Sequence, residues 1–504
     1  MKKLSGLPLM MTIKQLSNHR ISMHMTTLIL LCAVYFGTVM NYPVLKTIFN
    51  LSSDVSNFIF PYTAPILLTC AFIIIFSGFA WPYIFKLFMM FVTLTSAGAL
   101  YAAVNFQTMF DSTMMESVFE TNSSEILFYL NYTTIFYLFI FGVLPCVFIA
   151  TVRIKPYRNW KHAVVARVGI VLETCYKDYA SVGRNNSYLN KMIIPAHIFN
   201  GAKYLKKTYF ETKLAYKTLG TDAKMLEVAN GKPTLMVIVL GETARAMNFA
   251  YNGYDRDTNP YTKDLDLIAF QNVSSCGTYT ALSVPCMFSN MTRNSYSKAH
   301  AAAQDNVLNV LQHAGVDVMW IDNDGGDKGV AKKLSYISID ASLKNDDCNG
   351  STCFDVVMLK DAKQFIQDGS RNKLLVLHTI GSHGPTYWQR YPNTQAPFQP
   401  ACNRSDIENC DDKQIVNVYD NTLVYTDYVL SQVINELKNV SNDYNVMMTY
   451  ISDHGESLGE GGLYLHGTPY AIAPKEQTQV PWLMWIPDEY ALQKGLNTQC
   501  IKDK

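Results

Sequence analysis

Four stretches of this chain, residues 27–45, 64–81, 87–104 and 132–152, are almost wholly apolar. A helix needs about 20 such residues to cross a bilayer. In hydrocarbon, every backbone N–H and C=O must be paired without water, so stretches like these fold as helices. That constraint divides the chain, because beyond residue 230 the composition is that of an ordinary soluble domain. The first stretch lacks a small-residue cleavage site and further stretches follow at once, so it reads as an anchor and not as a removed leader. A net charge of +1 over 504 residues gives no basis for binding nucleic acid.

Basic residues orient the helices. Lys2, Lys3, Lys14 and Arg20 precede the first stretch, and Arg153, Lys155, Arg158, Lys161 and Arg167 follow the fourth. Residues 105–127 carry no Lys or Arg but hold Asp111, Glu116, Glu120 and Glu125. Both basic segments therefore face the cytoplasm and the acidic loop faces outward. Four crossings return the chain to the cytoplasm, yet its cysteines argue for the other side. Cys276/Cys286, Cys348/Cys353 and Cys402/Cys410 are close pairs in polar loops without the spacing of a zinc ribbon, which points to local disulfides and an oxidising compartment. Cys32, Cys70 and Cys146 lie singly in apolar runs and read as small buried hydrophobes. A fifth crossing is required, and the candidate is AVVARVGIVL (163–172), with Arg167 in its middle. Its helix would rise about 15 Å, roughly half the hydrocarbon thickness. Residues 191–210 mix apolar and cationic side chains, as an interfacial helix or a surface linker would. The expected organisation is a transmembrane domain over 1–160, a shortened fifth span and interfacial linker over 161–230, and an α/β domain over 231–504.

In that last part, PTLMVIVL (233–240), VDVMWI (316–321), KLLVL (373–377) and NVMMTYI (445–451) are apolar on consecutive positions, as strands buried on both faces are. Between them, 305–314 reads as a helix capped by Asp305 and ended by Gly315, and 421–438 as another. The alternation predicts a mostly parallel sheet sandwiched by helices. Ligands of such sheets bind beyond the carboxyl ends of the strands. The four runs end in Glu242, in Asp322-Asn323-Asp324, in His378 with His383 following, and in Asp453-His454, with His466 farther on. A strand-end Asp is usually a turn former and a lone His usually structural, but the joint pattern reads as a metal site. Carboxylates and imidazoles without thiolate suit Zn²⁺ or Mn²⁺. SSCGTYTALSVPCMFSN (274–290) offers hydroxyls that become nucleophiles only beside a metal or base. On spacing alone, a Ser/Thr-rich loop without chemical role is the simpler reading of it.

GETAR (241–245), CGTYTALSVPCMFS (276–289), NDGGDKGV (323–330), HTIGSHGPTY (378–387), YDNTLVYTD (419–427) and SDHGESLGE with LHGTPY (452–470) occur in this order. Together with the membrane stretches they resemble the lipid A phosphoethanolamine transferases, the EptA and mobile colistin-resistance group of the alkaline-phosphatase/sulfatase superfamily. The resemblance implies a sulfatase-like catalytic domain with zinc held by Glu242, Thr280, Asp453 and His454, and Thr280 as nucleophile. It implies that Lys328, His383 and His466 contact the phosphoryl group or acceptor, with His383 or His466 exchanging the proton. It implies that Thr121 and Glu125 bind the ethanolamine head, and Ser117 stands where the family commonly has Asn. The donor would be phosphatidylethanolamine and the acceptor lipid A of lipopolysaccharide. The expected setting is the bacterial inner membrane with a periplasmic catalytic domain, and the expected state a monomer. Loss of negative charge on lipid A would give polymyxin resistance. Asp327 and Ala331 occupy positions that often hold a cysteine pair, so one disulfide is expected to be missing. Family members usually continue beyond Lys504, so a C-terminal truncation is also expected. Two other readings stay open: an outer-face phosphodiesterase or glycerol-phosphate polymerase of the same superfamily, and an inactive homologue.

Overall fold

The computed structural model describes residues 21–51, 60–81, 84–121, 126, 129–155, 189–211, 214–226, 231–369 and 371–502. Two compact units emerge, one of Met1–Met115 with Asn131–Lys207 and one of Glu116–Leu130 with Thr208–Lys504.

In the first unit all four apolar stretches are helical. Phe85–Asn105 and Tyr132–Thr151 are each long and apolar enough to cross a bilayer, and Tyr62–Gly78 is a shorter apolar helix. The first stretch lies on a bent pair, Met25–Met40 and Tyr42–Asn50, at 53° to one another. The bend has an identifiable cause. Buried Asn41 donates from Nδ2 to the carbonyls of Phe36 (2.7 Å) and Ile194 (2.8 Å) and accepts from Ile194 N (2.9 Å), and Pro43 follows with no N–H to continue the ladder. Gly37 allows a close approach, since a Cβ there would stand 2.2 Å from Thr69 Oγ1. Residues 163–172, the expected fifth span, lie outside the described residues. In the 191–210 stretch, Ala196–Tyr209 is a helix with Lys206 and Lys207 in its last turn and Phe199 and Tyr209 exposed.

The second unit is built on a seven-stranded sheet. Its strands are β1 (Thr234–Gly241), β2 (Ile268–Phe270), β3 (Asp317–Asp322), β4 (Ser335–Ser338), β5 (Lys373–His378), β6 (Asn445–Ser452) and β7 (Trp482–Trp485), in the spatial order β2-β7-β6-β1-β5-β3-β4. β7 pairs antiparallel with both β2 and β6, and every other pairing within this sheet is parallel. The four apolar runs are its four central parallel strands, as expected. One face is covered by Trp320, Val318, Leu374 and Val376 packing with Val284, Phe288 and Leu308. On the other, Val237, Leu375 and Leu377 meet Ala362 and Ile366 of Leu359–Gln367 and Val433 of the long helix Asp412–Asn439.

Two helix ends differ from expectation. The helix after residue 305 runs Val307–His313, and its cap is Asn306, whose side chain accepts from Leu308 N (2.9 Å). Asp305 is taken up instead by Tyr216 OH (2.6 Å), Leu219 N (3.0 Å) and Lys333 (3.0 Å). The helix expected over 421–438 starts at Asp412, because Asp411 and Gln414 cap it reciprocally. Within the described residues the three expected disulfides are formed, Cys276–Cys286, Cys348–Cys353 and Cys402–Cys410.

Trp320 is fully buried, with its ring edge-on to Phe288 and to His378 at 5.5 and 5.4 Å between centroids. Trp320→Ala is expected to destabilise the unit by about 3–5 kcal/mol, read as a clear fall in melting temperature; an unchanged melting temperature would contradict this packing.

Candidate active site

Register brings the strand-end residues together. β1 and β6 pair in parallel from Thr234↔Asn445 to Gly241↔Ser452, so the next residues on each strand are Glu242 and Asp453. β5 lies on the other side of β1 and ends at His378, which pairs with Asp322 at the end of β3. The backbone just past β1 is strained: Thr243, a β-branched residue, has φ +53°. It is held there on three sides. Thr243 N donates to Asp453 Oδ1 (3.3 Å), Thr243 O accepts from Tyr419 OH (2.7 Å), and Ala244 N donates to Ser452 Oγ (2.8 Å). Gly381 closes in on the same turn. A Cβ there would lie 2.7 Å from Glu242 O, and its φ of +46° is one glycine adopts freely.

Four predicted residues meet in this place. Thr280 Oγ1, at the start of helix Thr280–Met287, donates to Glu242 Oε2 at 3.1 Å and lies 3.4 Å from His454 Nε2. His454 Nε2 is 3.4 Å from Glu242 Oε1 and 3.3 Å from Asp453 Oδ2. His454 Nδ1 faces the carbonyl of Gly455 at 3.0 Å, which fixes the tautomer that turns a lone pair on Nε2 toward the carboxylates. Glu242, Asp453 and His454 are fully buried, and their ligand atoms lie within 4.8 Å of one another. Among the described residues, Glu242 Oε1 and Asp453 Oδ2 have no hydrogen-bond partner. Burial first, then the Asp453 and Asp324 carboxylates, pushes the Glu242 carboxyl well above the usual range. Buried oxygens of like charge with no donor facing them fit a divalent cation, which would offset the repulsion.

Comparison with known proteins gives this cluster its context. A family described as Sulfatase matches residues 234–498, and one described as Phosphoethanolamine transferase EptA/EptB matches residues 68–209. Phosphoethanolamine transferase EptA of Escherichia coli (strain K12) is 37% identical over 421 residues, spanning 81% of this chain and 77% of that protein. The chain belongs to the phosphoethanolamine transferases. Phosphatidylethanolamine transferase Mcr-1 of Escherichia coli is 35% identical over 436 residues, 81% of this chain and 79% of that one. The solved integral membrane protein lipooligosaccharide phosphoethanolamine transferase A of Neisseria meningitidis superposes with a TM-score of 0.91 at 33% identity, covering 96% of this chain and 92% of that one. With its long apolar helices, this transferase is an integral membrane protein.

The remaining predicted residues of the transferase fall around the cluster unevenly. The His466 ring lies 4.6 Å from that of His454 and 5.5 Å from that of His383. Burial, and then the neighbouring His466 and Arg390, holds His383 well below the ordinary histidine range. Lys328 Nζ is 3.9 Å from Asp324 Oδ2, on a loop where Lys328 itself has φ +49°. Where a cysteine pair was expected to be missing, Asp327 braces that loop by accepting from Gly329 N (3.1 Å) and Ala331 N (2.6 Å). Ser117 and Thr121 are joined by a bond from Thr121 Oγ1 to Ser117 O (2.7 Å), whereas Glu125 lies outside the described residues.

Several site partners escaped sequence reasoning. Tyr279 OH donates to Glu116 Oε2 at 3.3 Å, and Lys298 pairs with Glu116 and, at 3.0 Å, with Glu120, tying the acidic segment to the residue before Thr280. Fully buried Glu456 faces His466 Nδ1 with Oε2 (3.1 Å) and accepts from Tyr387 OH on Oε1 (3.0 Å). Its place in the quoted DHGESLGE run was the only signal available. Glu456→Gln replaces the carboxylate that faces His466 and Tyr387 with a neutral amide carrying a single acceptor oxygen, so the transfer rate is expected to fall about 10–100-fold, with the melting temperature little changed. A variant that transfers at the original rate would show that His466 needs no such partner.

Proposed function

We propose that this transferase moves phosphoethanolamine from phosphatidylethanolamine to a phosphate of lipid A on the periplasmic side of the inner membrane, through a phosphorylated Thr280. Residues 1–160 anchor it, 161–230 link, and 231–504 carry out the chemistry. The observation that carries this reading is the Thr280 hydroxyl set 3.1 Å from Glu242 Oε2 and 3.4 Å from His454 Nε2 within a buried, cation-fitting cluster. Glu242, Thr280, Asp453 and His454 would hold zinc, which when bound lowers the pKa of a hydroxyl and offsets negative charge on phosphoryl oxygens.

The chain's own residues do the rest. Thr280 Oγ attacks phosphorus, the bond to the diacylglycerol oxygen breaks, and that oxygen leaves with a proton. A lipid A phosphate oxygen then attacks phospho-Thr280, the threonine–phosphorus bond breaks, and the hydroxyl is restored. Lys328 offsets charge on the transferring group, and His383, held neutral, donates a hydrogen bond to it. His466, with Nδ1 toward Glu456, offers Nε2 for the proton exchange. Ser117, Thr121 and Glu125 are assigned to the ethanolamine head. Every group named lies on one chain, so a monomer suffices. Ethanolamine's ammonium lowers the negative charge of lipid A, and cationic peptides such as polymyxins then bind less well.

The test uses purified full-length protein, phosphatidylethanolamine labelled in its headgroup, and lipid A. Label is expected on lipid A with the wild type, none with Thr280→Ala, and a reduced amount with Thr280→Ser. Label released to water instead of to lipid A would favour a phosphodiesterase, and no movement of label would mark an inactive homologue.

A further inference from the structure

Glu242 faces a second set of donors that the transfer reaction leaves unused. One ligand atom each of Glu242, Asp324 and His378 lie within 4.8 Å of one another, and His378 Nε2 is 3.6 Å from Asp324 Oδ2. His378 is the informative member. It is fully buried, and its Nδ1 is bonded to Asp322 Oδ1 at 2.7 Å. Asp322 is itself held, since Oδ2 accepts from Gly326 N at 2.6 Å. With Nδ1 committed, Nε2 points away from Asp322 and has no hydrogen-bond partner among the described residues. A carboxylate on one ring nitrogen, fixing the tautomer and aiming the other, is how proteins orient metal-binding imidazoles.

We propose that Glu242, Asp324 and His378 bind a second divalent cation, with Glu242 shared between this set and the Asp453–His454 set. The donors are two carboxylates and one imidazole without thiolate, a set that takes Zn²⁺ or Mn²⁺. Three buried carboxylates, Glu242, Asp324 and Asp453, crowd one strand edge, and a cation on each side of Glu242 neutralises what one alone leaves. The second cation lies toward Lys328, which is 3.9 Å from Asp324, and so adds positive charge on the flank where that lysine stands. The second set does not include Thr280 and needs no assumption about the acceptor.

The test is metal stoichiometry on full-length protein in detergent, stripped with chelator, reloaded with Zn²⁺ alone and desalted. The wild type is expected to retain two ions per chain. Asp324→Asn and His378→Gln should each retain one, and Asp453→Asn, which leaves the second set intact, should also retain one. Melting in excess chelator separates folding from binding: Asp324→Asn should melt no lower than the wild type there, having lost a repelling carboxylate, yet gain less when Zn²⁺ is added. A wild type that holds one ion, kept in Asp324→Asn and lost in Asp453→Asn, overturns the second site and leaves the Thr280 reading standing. His378 would then be an imidazolium spanning Asp322 and Asp324. One ion lost in Asp324→Asn but kept in Asp453→Asn would support the second site and sink the first.

Discussion

The parallel register between β1 and β6 is the constraint from which the site follows. It sets Gly241 beside Ser452, so that Glu242 and Asp453 leave the sheet together and must share one buried volume. A slip of one residue would reverse the face of every side chain on the strand and part these carboxylates. Both strands are buried on the two faces of the sheet, so the register is enforced by the whole apolar core and not by the site. The packing energy of that core thus holds together charges that repel each other.

Strain collects at the same edge. Among the described residues, three non-glycine residues in the left-handed region, Thr243, Lys328 and Leu465, adjoin or are themselves groups assigned to the chemistry. Each such residue costs of order 1–3 kcal/mol and persists only where its surroundings over-determine it. Those surroundings are visible. Tyr419 of the long helix Asp412–Asn439 fixes Thr243, Asp327 braces the Lys328 turn, and Gln477 accepts no freedom at Leu465, donating to its carbonyl at 3.0 Å. Glu456 then orients His466 from below. Thr280 is placed by a different device: helix Thr280–Met287 begins at it, with Ser283 Oγ bonded to the carbonyl of Asp453.

Much of this was legible because it obeys a period or marks a strand end. Long apolar runs read as membrane helices, and short runs apolar at consecutive positions between helical patterns read as strands buried on both faces. Carboxylates and imidazoles beyond those strands then had to converge. What stayed hidden depends on pairs distant in sequence. The bend at Asn41 arises from a bond to Ile194, which no local pattern encodes. Asp305 has the form of a cap, but its partners Tyr216 and Lys333 claim it, and the adjacent Asn306 does the capping. Asp322, Asp324 and His378 were each seen at strand ends, yet that Asp322 orients His378 while Asp324 faces its other nitrogen follows only from side-chain geometry.

The central claim is that Thr280 carries the phosphoethanolamine between donor and acceptor. Its most direct test is to mix full-length protein with phosphatidylethanolamine in the absence of lipid A, quench in acid, and map adducts by peptide mass spectrometry. The account predicts the mass of one phosphoethanolamine on Thr280, discharged when lipid A is added before quenching. An adduct on any other residue, or transfer that proceeds with Thr280 unmodified throughout, would contradict it.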